Sequence, residues 1–113
     1  MRELFERWVR SGLDRAPGGC LFVKASAELD EQVGPVRAKL ARDHRDLYDT
    51  IARVFRTGID AGHFRADADP DQFATDLDGV MLAFYHWHRL LDDELAQTRA
   101  RRAFEALLLA ART

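Results

Sequence analysis

Between Asp69 and Leu91 the chain reads as one helix that is apolar almost all the way round. Its start is well marked. Asp69 suits an N-cap, Pro70 fits the first helical position, and Gln72 completes a capping-box-like spacing. The run Gly79-Val80-Met81-Leu82-Ala83-Phe84-Tyr85-His86-Trp87 then leaves little room for a solvated face. Such a helix must be covered on two sides. A chain of 113 residues is one domain by length and buries roughly two-thirds of its unfolded surface. It can cover one side of this helix from within, so the other side calls for a second subunit or a ligand.

The remaining pattern is helical throughout, with no alternating strand signal. Leu4, Phe5, Trp8 and Val9 share one side of a first helix ending near Gly12, with Glu3 and Arg7 paired four apart. Gly18-Gly19 opens a short second helix carrying Leu21, Phe22, Ala25 and Leu29. Pro35 begins the longest element, to about Ala61, with Gly62 placed for a left-handed C-cap. Val36, Leu40, His44, Leu47, Tyr48, Ile51, Val54, Phe55 and Ile59 fall on one side of it. Arg42, Asp46, Asp49, Arg53, Arg56 and Asp60 fall opposite. After the acidic turn Asp92-Asp93, a last helix covers roughly residues 94–112. The expected fold is all-α: about five helices in an antiparallel bundle, forming one domain over residues 1–113.

Composition narrows the function classes. An apolar fraction of 47% with 32% charged residues is that of a folded globular domain. A net charge of −2 carries no electrostatic footprint for nucleic acid. The greasy run of about 13 residues falls short of the roughly 20 that span a bilayer. The N-terminal Met-Arg-Glu-Leu-Phe-Glu-Arg lacks the apolar stretch of a signal peptide. With Cys20 as the one cysteine, a reducing, cytoplasmic setting is expected. No nucleophile motif, Gly-rich phosphate loop or Ser-His-Asp set appears, so no catalytic residue is assigned and no cofactor is expected. His86 and His88 are two apart and face different ways on a helix, so no metal site is expected either. The series Asp67, Asp69, Asp71, Asp76 and Asp78 lacks a calcium loop's glycine and terminal glutamate. The basic run Arg99, Arg101 and Arg102 reads as a solvated helix side.

Three segments, taken together, resemble the C-terminal, ligand-binding and dimerisation domain of TetR-type transcriptional regulators. They are Gly18-Gly19-Cys20-Leu21-Phe22 running into Ala27-Glu28-Leu29-Asp30, then Gly34-Pro35-Val36-Arg37 with the closing Ala61-Gly62-His63-Phe64-Arg65, and Asp67-Ala68-Asp69-Pro70-Asp71-Gln72-Phe73-Ala74. The resemblance implies an effector-sensing, homodimerising regulatory domain. Nothing ahead of Leu4 corresponds to the family's helix-turn-helix head, so DNA contact is expected only through such a separate N-terminal domain.

His44 and His88, with Tyr48 on the stripe of His44, are candidates to orient a small apolar or aromatic effector. Met81 and Phe84 complete the candidate wall, and the resemblance adds Trp8 and Phe22 by placing the first two helices against the cavity. Gly79, Ala83, His86, Trp87 and Leu90 form a candidate dimer edge. There small residues allow close approach and Trp87 supplies an anchor. Paired with Phe104, Leu107 and Leu108 of the last helix, they would make a two-fold, four-helix interface, the arrangement the resemblance implies. The alternative is a structural dimerisation module without a small-molecule ligand; an enzyme acting through His44 or His88 is a more remote one.

Overall fold

A computed structural model describes residues 1–13 and 35–112 of the chain. The expected short helix at Gly18–Leu29, with Phe22, lies outside them. The described residues form four α-helices and no strand: α1 (Arg2–Leu13), α2 (Pro35–Asp60), α3 (Pro70–Tyr85) and α4 (Ala96–Arg112). The all-α class is as expected. The chain divides into two compact units, Arg2–Leu47 and Tyr48–Thr113 with Met1, and the boundary falls within α2.

In the first unit, α1 forms where its apolar residues recur at helical spacing. Phe5 and Val9 are buried, Leu4 and Trp8 half-buried. On its exposed side Arg7 and Glu3 form the expected pair at 2.7 Å. The first part of α2 is lightly covered. Leu40, His44 and Leu47 are half-buried, and Val36 is 64% exposed, at the helix start where the stripe was expected to face inward.

The second unit holds the larger core. Ile51, Ala52 and Phe55 of α2, Phe73, Ala74, Leu77 and Met81 of α3, and Ala96, Ala100, Phe104 and Leu108 of α4 are all buried. The solvated residues expected on α2, from Asp49 through Asp60, are exposed. Gly62 adopts a φ of +81°, the left-handed C-cap, and the chain turns sharply enough for the Phe64 ring to fold back. That ring stacks on Phe55 with centroids 4.4 Å apart, and Phe55 stacks in turn on Phe73 at 4.4 Å. Three aromatic rings thus join the end of α2, the connecting loop and the first turn of α3.

Asp69 caps α3: its Oδ1 accepts from the backbone N–H groups of Asp71 at 3.0 Å and Gln72 at 3.2 Å. The reciprocal half of a capping box does not form. Gln72 Nε2 donates forward to Asp76 Oδ1 at 2.9 Å, an i,i+4 bond the helix itself makes available. The expected single helix from Asp69 to Leu91 also changes character. From His86 to Leu90 it widens into one π-turn, closed by the Leu91 N–H donating to the His86 carbonyl at 3.3 Å. Asp92 then takes a φ of +49°, and Asp93 Oδ1 accepts from the Leu95 N–H at 2.8 Å. This side-chain cap holds residues 94 and 95 in a turn, so α4 starts two residues later than the expected 94. At its far end, the Ala111 carbonyl accepts from the Arg65 N–H at 2.9 Å, beside the approach to α3. The last two helices are therefore antiparallel neighbours.

Gly58 sits under the Phe64 ring. A Cβ there would lie 2.7 Å from Phe64 Cδ2, and stacking on Phe55 keeps the ring from retreating. Alanine in place of a helical glycine ordinarily stabilises by about 1 kcal/mol. Gly58→Ala is instead expected to lower stability by about 1–2 kcal/mol, read as an earlier midpoint in urea denaturation. A later midpoint would show that the ring yields freely.

Candidate functional site

The outward side of α3 is where the chain departs most from an ordinary surface helix. Gly79 and Ala83 are exposed, and so are Leu82 (43%), Trp87 (44%) and Leu90 (71%). Leu91 and Leu95 continue the apolar surface through the turn. His86 lies beside Trp87 with its ring edge-on, centroids 5.9 Å apart.

Next to this arc a groove of about 430 Å³ runs between α3 and α4. From α3 its wall takes Asp76, Gly79, Val80, Ala83 and Phe84, and from the π-turn that follows, Trp87. From α4 it takes Ala96, Arg99, Ala100 and Ala103. Small side chains on both helices hollow it out, and only Asp76 and Arg99 carry charge. Arg99 Nη1 is held by Asp93 Oδ2 at 3.0 Å.

Of the eight residues expected at a dimer edge, Gly79, Ala83, His86, Trp87 and Leu90 lie on the surface. Phe104 and Leu108 do not: each is 2% exposed within the single chain. The cause is the four-residue repeat Ala96, Ala100, Phe104, Leu108, which turns the apolar stripe of α4 into its own core. Ala103 and Leu107, half-buried, are what α4 presents along its margin.

The candidate effector residues divide between the units. Trp8 and His44, both half-buried, belong to the first. Tyr48, Met81, Phe84 and His88 belong to the second. There the Phe84 and His88 rings stack at 5.6 Å with planes 5° apart, one helical turn along the same side. Met81 is fully buried and Phe84 nearly so. The Tyr48 hydroxyl donates to Asp78 Oδ2 at 2.7 Å, tying α2 to α3 one residue before Gly79. Burial first, and then the hydrogen bond and charge of Asp78, push the Tyr48 phenol well above its ordinary pKa.

Asp78 entered the sequence reading only as one of an acidic series. Four of those five carboxylates have separate partners: Asp67 pairs with Arg65 at 3.4 Å, Asp69 caps α3, Asp76 holds Gln72 and Asp78 holds Tyr48. Thirty residues separate Tyr48 from Asp78, so no local spacing announces the pair. The α4 wall of the groove was likewise missed, although the repeated alanines at 96, 100 and 103 carry the signal of a close helix approach. Among the described residues, no three His, Cys, Asp or Glu side chains come together as a metal site would need. No helix among them is long and apolar enough to cross a membrane.

Residues 1–104 match the family model for the tetracyclin repressor-like C-terminal domain. No curated protein and no solved structure matches the chain.

The Tyr48–Asp78 bond makes a directional prediction for pH. Its pKa is raised on folding, so the neutral phenol is the form the fold favours. The contribution is complete below the unfolded value of about 10 and is lost as pH rises above it toward the folded value. Alkaline titration of phenolate absorbance should show one tyrosine ionising late, and Tyr48→Phe should remove that component while costing about 1 kcal/mol at neutral pH. A late component that survives in Tyr48→Phe would contradict the assignment.

Proposed function

We propose that this chain, which belongs to the tetracycline repressor-like C-terminal domain family, is the effector-sensing and homodimerising part of a transcriptional regulator working in the cytoplasm. Domains of this family are regulatory and in general not enzymatic. The observation that carries the dimer is the apolar arc from Leu82 to Leu95, left open to water beside a groove of small residues. Monomeric proteins rarely leave so continuous a patch uncovered. A half-exposed tryptophan beside glycine and alanine has the make-up of an interface anchor next to its socket.

The stacked rings of Phe84 and His88 are the aromatic surface that a small apolar or aromatic effector would meet. The Tyr48–Asp78 bond supports a route from effector to interface. Asp78 adjoins Gly79 in the chain, so a ligand that competes for the Tyr48 hydroxyl changes what holds α3 where the subunits meet. Such a ligand acts by shifting the population between two subunit spacings, and only to the extent that it prefers one of them. Reading an operator falls to a separate DNA-binding domain of the regulator.

Sedimentation velocity at micromolar concentration should give a dimer for the unaltered protein and a monomer for Trp87→Glu. A monomeric unaltered protein would remove the dimer from this reading. In a thermal-shift screen, planar apolar compounds at about 100 times their Kd should stabilise by about 2.7 kcal/mol. That stabilisation should shrink in His88→Ala. Should no compound stabilise the protein, the effector is lost and a purely structural dimerisation module remains.

A further inference from the structure

Asp78 is a half-buried carboxylate whose partner is neutral. Its Oδ2 accepts from the Tyr48 hydroxyl at 2.7 Å, and among the described residues no Lys or Arg pairs with it. No buried side-chain oxygen among those residues lacks a hydrogen bond, so its other oxygen, Oδ1, which makes none, still reaches the surface. The helix around it supplies no offsetting charge. Between Pro70 and Tyr85, α3 carries Asp71, Asp76 and Asp78 and neither lysine nor arginine. Half-burial meanwhile strips the Asp78 charge of part of its water.

A ligand shifts a population only by the surplus with which it favours one state. A neutral donor that replaced the Tyr48 hydroxyl would exchange one hydrogen bond to Asp78 for another of similar strength, and would leave little surplus. An anion competing for the hydroxyl would have to lie beside Asp78, like charge against like. A cation adds direct attraction to its hydrogen bond. If its positive group is planar, it takes both carboxylate oxygens where the phenol takes one. Resting on the effector reading above, we infer that the sensed molecule is a flat cation whose positive group takes the Asp78 carboxylate in place of the Tyr48 hydroxyl. The displaced hydroxyl then no longer ties α2 to α3, and the effector gains its hold over the register of α3.

Isothermal titration calorimetry on the full chain tests this with three probes that share one ring system: naphthylmethylguanidinium, its neutral isostere naphthylmethylurea, and naphthylacetate. The guanidinium should bind about tenfold more tightly than the urea, and the acetate more weakly than either. Asp78→Asn keeps an oxygen for the Tyr48 hydroxyl and removes the charge, so it should bring the guanidinium to within about twofold of the urea. Tyr48→Phe removes the competitor and should tighten guanidinium binding by about fivefold; loss of a residue that merely shaped the site would weaken it. Equal binding of guanidinium and urea, or a preference that survives Asp78→Asn, would overturn the charge assignment and leave an effector in place. Weaker guanidinium binding in Tyr48→Phe would overturn the displacement of the hydroxyl. If none of the three binds while uncharged planar compounds stabilise the protein, the cation is overturned and the effector stands. If no compound of any charge stabilises it, both fall together.

Discussion

Helix α3 is held on its inward side by two neighbours at once, and the rest of the second unit follows from that double hold. Phe73 stacks under Phe55 of α2, while Leu77, Met81 and Phe84 are buried to 2% exposure or less. The inward residues recur at three- and four-residue spacing, which gathers them into about a third of the helix circumference. Fully burying one such side chain contributes about 1.5–3 kcal/mol, so this side is not exchangeable for the other. The remaining arc, with Leu82, Trp87 and Leu90, is left over by geometry. A sequence of ordinary amphipathicity would place charge there. This one places glycine, alanine, leucine and tryptophan.

Polar groups inside the second unit are few, and their placement matters accordingly. The Tyr48 hydroxyl and the Asp78 carboxylate, both half-buried, meet between α2 and α3. A hydrogen bond adds only about 1 kcal/mol net, but leaving either member unpaired would cost more than forming the bond gains. The pair therefore specifies the register of α3 against α2 more than it adds stability. It lies on the inward side of α3, one residue before Gly79 on the outward side. A change in the register of α3 cannot leave both positions unmoved.

Local signals made much of this architecture legible beforehand. Pro35 and Pro70 open helices, Asp69 caps one and Gly62 ends one, because each of these depends on a few adjacent atoms. The division of α2 into a solvated side and a covered side also follows from spacing alone. What spacing does not carry is which covered residues face their own chain and which face outward. Phe104 and Leu108 look as suitable for an interface as Trp87 does. They are core because Ala96 and Ala100 continue the same four-residue stripe and bring α4 against α3. The π-turn at His86–Leu90 was equally unreadable. It widens a helix whose residue types would all accept ordinary helical geometry, and the tie that follows it, from the Asp93 N–H to the Trp87 carbonyl at 2.9 Å, belongs to the turn.

Two helical glycines show how the same residue type carries opposite information. Gly58 is explained within the chain, since the Phe64 ring occupies the space a side chain would need. Gly79 is not, because the equivalent space around it is empty. Both carry the same conformational disadvantage in a helix, and in the first case an intramolecular contact offsets it. For the second no such contact exists among the described residues, and the side chains exposed around it are largely apolar. A polar occupant would strip Leu82, Trp87 and Leu90 of water without offering them anything in return. An apolar one, of the kind this same helix displays, gains from every one of them.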